Sequence, residues 1–220
     1  MINNILAVGD SFTYGEELSD IMNAYPYLLS RTIGCKVNNL ARPGSGNRRM
    51  VRTVMEQIAN KIPIDFVIIG WSSPGRMEFA DAAGPYDIWP GYSGNMFQSS
   101  GQVWRMELLE YINEHHNSTW MYQQHLMDVI LLQNFLKSCN IRYVMLRTVG
   151  NEYYHNSHYL QYYHLDQLID RQHYLGWPNA GMAEWTQGCK RGPNGHFLDD
   201  GHKQVANKLY EHIRSFGWLS

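Results

Sequence analysis

Ile5-Leu6-Ala7-Val8-Gly9-Asp10-Ser11-Phe12-Thr13-Tyr14-Gly15 is the stretch that decides the fold. Four consecutive apolar residues read as a strand buried on both faces, the pattern of a parallel sheet covered by helices. The run stops at Gly9-Asp10 and passes straight into hydroxyl-bearing residues. The same signature returns at Phe66-Val67-Ile68-Ile69, ending on Gly70, and within Ile141 to Leu146, and Cys35 to Leu40 is a further strand candidate. Between these runs lie segments of helical period. One covers Ala24 to Thr32, with Pro26 in its first turn and Gly34 closing it. Another covers Asn47 to Lys61, with Val51, Met55, Ile58 and Ile62 at helical spacing and Pro63 as its stop. A third runs from Ser118 to Lys137, apolar nearly all round and so expected to be well buried. The last runs from about Asp200 to Phe216, with Asp199 or Asp200 as N-cap.

Strand–helix alternation of this kind predicts an α/β fold: three layers, a central parallel sheet and helices on both faces. Four strands are legible, and there is room for a fifth within 150–195. The chain of 220 residues reads as one domain, with irregular insertions near 72–117 and 148–198. Long insertions in compact domains tend to be functional. A short helix near Leu165 to Arg171 interrupts the second.

Composition narrows the function. Charged residues make up 17% and hydrophobic ones 44%, which excludes a disordered chain. A net charge of −2 argues against a nucleic-acid binder. Cys35, Cys139 and Cys189 are odd in number and far apart, so neither a disulfide framework nor a structural zinc site is expected. No apolar run reaches membrane-span length and no signal-peptide pattern opens the chain, so a cytoplasmic protein is expected, without membrane partner. His115, His116, His155 and His158 lack a supporting Cys or carboxylate cluster, and no metal or cofactor is expected. Pro43-Gly44-Ser45-Gly46-Asn47 lacks the spacing of a nucleotide loop. Aromatics are in surplus, with 15 Tyr, 7 Trp and 7 Phe. Trp71, Tyr86, Trp89, Tyr92, Phe97, Trp104, Tyr111, Trp120 and Tyr122 gather in one segment, and Tyr153, Tyr154, Tyr159, Tyr162 and Tyr163 in another. Many should form a hydrophobic cluster; the rest are expected to line or roof a cleft above Ser11, suited to a ring-bearing substrate such as a sugar.

In a parallel sheet the ligand site lies at the carboxyl ends of the strands. Gly9-Asp10-Ser11, the loop Asn39 to Asn47, Gly70-Trp71-Ser72-Ser73 and Asn194-Gly195-His196 all fall there. They supply a hydroxyl, a small-residue backbone loop, further hydroxyls and an imidazole, which are the parts of a serine nucleophile, an oxyanion hole and a base.

These blocks resemble the SGNH hydrolases (GDSL-type esterases) over nearly the whole chain. The stretch from Gly9 to Leu18 is similar to variants encoded by tailed phages and some bacteria. The resemblance implies a flavodoxin-like SGNH hydrolase fold and assigns Ser11 as nucleophile. It gives Ser11 and Gly44 as backbone oxyanion donors. Two blocks depart from the family pattern. Ser72 stands where the family carries an oxyanion-donating Asn, and Asn47 is the nearby residue that could compensate. The final Asp-x-x-His block has two registers. Asp199-Asp200-Gly201-His202 fits literally. His196 has Gly201 and Ala206 at the family's offsets and is the favoured base; Pro193 then occupies the Asp position, with Asn194 as the nearest polar substitute to orient the ring. The activity implied is hydrolysis of a small acyl ester, such as an acetyl group on a carbohydrate, through a Ser–His acyl-enzyme. An acyltransferase on the same site, or a catalytically silent glycan- or protein-binding domain, are the alternatives. The expected partner is a small-molecule or glycan ester.

Overall fold

The computed structural model describes residues 2–91, 103–149 and 163–219. Tyr92, Phe97, Tyr153, Tyr154, His155, His158, Tyr159 and Tyr162, and the side chains of Trp104 and Tyr163, lie outside the described residues.

The four predicted strands are present: β1 (Asn4–Gly9), β2 (Lys36–Asn39), β3 (Phe66–Trp71) and β6 (Arg142–Arg147). They form one parallel sheet in the order β2-β1-β3-β6. Alternation along the buried strands divides the interior into two cores. Leu6, Val8, Val67, Ile69, Trp71, Tyr143 and Met145 face one layer, formed by α3 (Asn47–Ala59) and α5 (Ser118–Ser138). Ile5, Ala7, Phe66, Ile68, Val144 and Leu146 face the other, formed by α2 (Tyr25–Ile33) and α8 (Asp199–Ser215). Each Val, Leu, Ile, Phe or Met among them, removed from water, contributes roughly 1.5–3 kcal/mol. Among the described residues of 150–195, where a fifth strand is expected, one parallel bridge extends the sheet at Tyr174: the N–H of Met145 donates to His173 C=O at 2.7 Å, and Leu175 N–H donates to Met145 C=O at 2.8 Å.

Several local expectations are corrected. Residues 72–117 are less irregular than their composition suggests. They contain an antiparallel hairpin, β4 (Met77–Asp81) and β5 (Gly84–Ile88), and the helix α4 (Val103–His115). The hairpin is anchored to α3. Asp87 accepts from Gly46 N–H at 2.9 Å and from Arg49 Nε at 2.6 Å, and Glu78 pairs with Arg52 at 2.6 Å. Helix α5 is not buried all round: Trp120, Met127 and Leu131 stand exposed on one face. Its N-cap is Asn117, whose side chain accepts from Trp120 N–H, and that of α8 is Leu198. Among the described residues of the second irregular segment, helix covers α6 (Tyr163–Asp166), not Leu165 to Arg171, followed later by α7 (Met182–Trp185). Among the described residues, no helix is long and apolar enough to cross a membrane.

The carboxyl ends of β1 and β3 are levelled by two paired glycines, Gly9 and Gly70. A Cβ on Gly70 would lie 2.3 Å from Thr13 Oγ1 and 2.9 Å from Thr148 Cγ2. Their absence of side chain lets the one-turn helix α1 (Ser11–Tyr14) settle on the sheet edge. The position of Ser11 follows from that close approach.

Candidate active site

Asp10 caps α1. Its Oδ1 accepts from Phe12 N–H at 3.1 Å, and its Oδ2 accepts from Thr148 Oγ1 at 2.7 Å. Fully buried and hydrogen-bonded on both oxygens, Asp10 fixes the turn that presents Ser11. Ser11 is the first helical residue, so its N–H has no upstream carbonyl within the helix. Helix α1 is too short for an appreciable dipole; the donors that count here are the individual N–H groups.

The loop after β2 forms a turn closed by Ser45 N–H to Arg42 C=O at 3.0 Å. Pro43 and Gly44 take its central positions, and Gly44 has φ +77°, the left-handed value a type II turn requires. The loop is tied back to β1 through Arg42 N–H to Gly9 C=O at 3.0 Å. Ser11, Gly44 and His196 line one cleft of about 420 Å³, together with Glu16, Arg76 and the aromatic rings of Tyr86 and Trp89.

His196 stands on the loop before α8, with its ring against Phe12 at 4.8 Å between centroids. The group facing its Nδ1 is Glu17, whose Oε2 lies 2.8 Å away. Glu17 is clasped further: Oε1 accepts from Asn194 N–H at 2.8 Å and Oε2 from His196 N–H at 3.1 Å. Asn194 was the residue expected to orient the ring. It contributes only its backbone N–H to Glu17, because the glutamate already fills the space beside Nδ1. Burial pushes the Glu17 carboxyl up, but the two N–H groups and the imidazole outweigh it and hold its pKa below the ordinary value. Glu17 adopts φ +69°, a strained value for a residue with a side chain. On the other side of the ring, Nε2 lies 3.5 Å from Glu16 Oε2, and no hydrogen bond joins it to Ser11 Oγ.

His202, the residue of the other register, is 1% exposed inside α8. Its Nδ1 accepts from Tyr25 N–H at 3.1 Å, and burial lowers its pKa to about 4. It ties α8 to α2 and does not line the cleft.

Neither Ser72, at the position of the family's Asn, nor Asn47, the residue expected to compensate, lines the cleft. Ser72 is buried, and its Oγ has no hydrogen-bond partner. Asn47 is buried too. Its Oδ1 accepts from Ser72 N–H at 2.9 Å, while its Nδ2 contacts Ser72 C=O at 3.2 Å and His125 Nδ1 at 3.1 Å. Asn47 is a brace between α3, the loop after β3 and α5. Of the aromatic surplus, Tyr86 and Trp89 line the cleft as expected. Trp71 and Tyr122 belong to the core, Tyr111 is exposed, and Trp120 lines a separate hollow beside α5. No group of three or more potential metal ligands occurs among the described residues.

Comparison with known proteins gives no matching family model and no matching curated protein. Solved structures do match. The chain is similar to the psychrotrophic esterase EstA from Pseudoalteromonas sp., at 10% identity and TM-score 0.58, over 97% of this chain and 98% of that one. It is also similar to a G-D-S-L family lipolytic protein from Desulfitobacterium hafniense DCB-2, at 15% identity and TM-score 0.52, over 96% and 99%. A carbohydrate esterase family 2 enzyme from Corynascus thermopiles matches at 14% identity and TM-score 0.57, over 98% of this chain and 67% of that one. The fold is therefore that of the SGNH hydrolases, shared with lipolytic proteins and esterases.

Proposed function

We propose that the protein is a serine esterase of SGNH type that removes a small acyl group through a covalent intermediate on Ser11. The observation that carries this reading is the 2.8 Å contact between Glu17 Oε2 and His196 Nδ1, on a histidine that shares one cleft with Ser11 and Gly44. A carboxylate at Nδ1 fixes the proton there, leaves Nε2 free to accept, and stabilises the imidazolium that forms. His196 then takes the Ser11 proton as Oγ attacks the ester carbonyl. The N–H groups of Ser11 and Gly44 donate to the developing oxyanion, and the alkoxide leaves with the proton from His196. Water, deprotonated by His196, releases the acid.

A carbohydrate ester is the favoured substrate class. Tyr86 and Trp89 add aromatic surface to the lining of the cleft beside the guanidinium groups of Arg105 and Arg76, a mixture of apolar and hydrogen-bonding groups suited to a sugar. Similar folds serve an acetyl xylan esterase from Butyrivibrio proteoclasticus and the carbohydrate esterase named above. The test is turnover of p-nitrophenyl acetate by wild type, Ser11→Ala and His196→Ala. Loss of activity in both variants supports the reading; activity retained by Ser11→Ala rejects the nucleophile.

One observation favours a second reading, a silent binding domain: Nε2 of His196 faces Glu16, not Ser11. Absence of turnover on every ester, with glycan binding intact, would select it. Catalytic hydrogen bonds are often loose without substrate, which is why the esterase reading is preferred.

A further inference from the structure

The third oxyanion donor is missing from its usual place, since Ser72 and Asn47 both point elsewhere. We infer that Arg76 supplies it, an inference that rests on the esterase reading.

Arg76 lies on the same loop after β3, four residues beyond Ser72. A turn closed by Arg76 N–H to Ser73 C=O at 3.1 Å brings it back over the sheet edge. Two contacts locate its guanidinium. Nη1 lies 3.4 Å from Oδ2 of Asp10, the neighbour of Ser11. The guanidinium carbon sits 5.0 Å from the centre of the Trp89 ring. That same ring covers Gly44, so closely that a Cβ there would lie 3.3 Å from it. The guanidinium is thus held between the two segments that present the backbone donors, and it lines the cleft with both of them.

Its donors are also available. Arg76 has five N–H groups, and among the described residues its side chain makes one long hydrogen bond, to Asp10. The other arginines around the hairpin are engaged: Arg105 by Asp81 and the Tyr86 ring, Arg49 by Asp87, Arg52 by Glu78 and Glu56. Arg42 lines the cleft as well, but stands exposed. A side chain only 18% exposed, flanked by an aromatic face, meets an oxyanion in a medium where a charged donor is about twice as strong as a neutral one. No bond to Arg76 forms or breaks; it donates hydrogen bonds as negative charge moves onto the carbonyl oxygen and retracts when the acyl-enzyme forms.

The experiment is steady-state kinetics of Arg76→Ala and Arg76→Lys on p-nitrophenyl acetate, a neutral ester, with thermal melts of each and Ser11→Ala as the blank. Loss of one oxyanion donor typically lowers kcat by about 100–1000-fold. The expected result is a loss of that order in folded Arg76→Ala, with KM changed by less than about threefold, because the contact strengthens only in the transition state. Lysine keeps a charge beside Asp10 but lacks the planar fork. If Arg76→Ala fails to fold, Arg76→Lys is read instead, with kcat expected about tenfold or more below wild type at unchanged KM. Wild-type kcat in a folded variant overturns the inference. So does a rise in KM at constant kcat, which would make Arg76 a ground-state substrate contact. Absence of turnover by the wild type itself, indistinguishable from Ser11→Ala, refutes the esterase reading and the inference with it.

Discussion

Replacing Glu17 by Gln probes the least expected part of the site with almost no change of shape. Glu17 accepts three hydrogen bonds, two of them on Oε2 from the His196 ring and backbone, and one on Oε1 from Asn194. A glutamine has only one oxygen to offer. With its NH₂ at the Oε1 position, a donor confronts the N–H of Asn194. With its NH₂ at the Oε2 position, it confronts His196 N–H and can satisfy Nδ1 only as an acceptor. That second arrangement moves the ring proton to Nε2, where it blocks attack by Ser11. Either arrangement also removes the negative charge 2.8 Å from the imidazolium that forms during the reaction. Carboxylate-to-amide changes at this position in serine triads lower kcat by about 10⁴-fold, near 5 kcal/mol of barrier. The exposed rim of this cleft softens the effect, so kcat of Glu17→Gln is expected about 10²–10⁴-fold below wild type at similar KM. The assay is p-nitrophenyl acetate hydrolysis, with proton NMR of the His196 ring to follow the tautomer. A glutamine variant within a few-fold of wild-type kcat would refute the assignment of Glu17 as the positioning carboxylate.

Three further outcomes follow from the same structure. Gly70→Ala places a methyl group 2.3 Å from Thr13 Oγ1; overpacking of this kind costs about 1–3 kcal/mol, and because Thr13 shares α1 with Ser11, activity should fall with stability, as denaturant melts and kinetics would record together. His202 is buried neutral, with burial lowering its pKa from 6.5 to about 4. Between those values the unfolded chain binds more protons than the folded one, so stability falls as pH drops from 6.5 towards 4, by up to about 3 kcal/mol; urea melts across this range should show a flatter dependence for His202→Asn, and an identical slope would contradict the assignment. Glu17 has the opposite origin but the same sense: its folded pKa is held below the ordinary 4.5, so the stability it contributes is complete above that value and is lost as pH falls through the lowered pKa, and Glu17→Gln should reduce the acid-side loss.

The scaffold was legible because its signal is local. Three apolar runs and the candidate segment Cys35 to Leu40 reported four strands, and their alternation with helical periods reported the layers. The hairpin β4–β5 was not legible, for reasons that can be named. Its turn, Ala82-Ala83, carries none of the Asn-Gly or Asp-Gly preference of tight hairpins, and Pro85 weakens any strand reading of β5. What holds it are ion pairs to α3 from residues far away in sequence, Arg49 to Asp87 and Arg52 to Glu78.

The site divides in the same way. Ser11, Gly44 and His196 come together in one cleft, and each was readable from a local block of sequence. The group beside His196 was not. The family pattern points to Pro193 and Asn194, whereas Glu17 arrives from the turn after α1, 179 residues earlier in the chain. The doublet Glu16-Glu17 just after the Gly9-Asp10-Ser11 block was the only available signal, and it reads equally as a solvated turn. Asn47 shows the converse: it lies near the oxyanion loop, but buried Ser72 and His125 claim its amide through three contacts.

The most direct measurement of the central claim is mass analysis of protein quenched in acid during turnover of p-nitrophenyl acetate, with the modified residue located by peptide sequencing. The account predicts one acetyl group on Ser11, absent in Ser11→Ala and formed far more slowly in His196→Ala. Turnover that leaves Ser11 unmodified, or an acetyl group carried on another residue in a protein whose Ser11→Ala variant remains active, would contradict it.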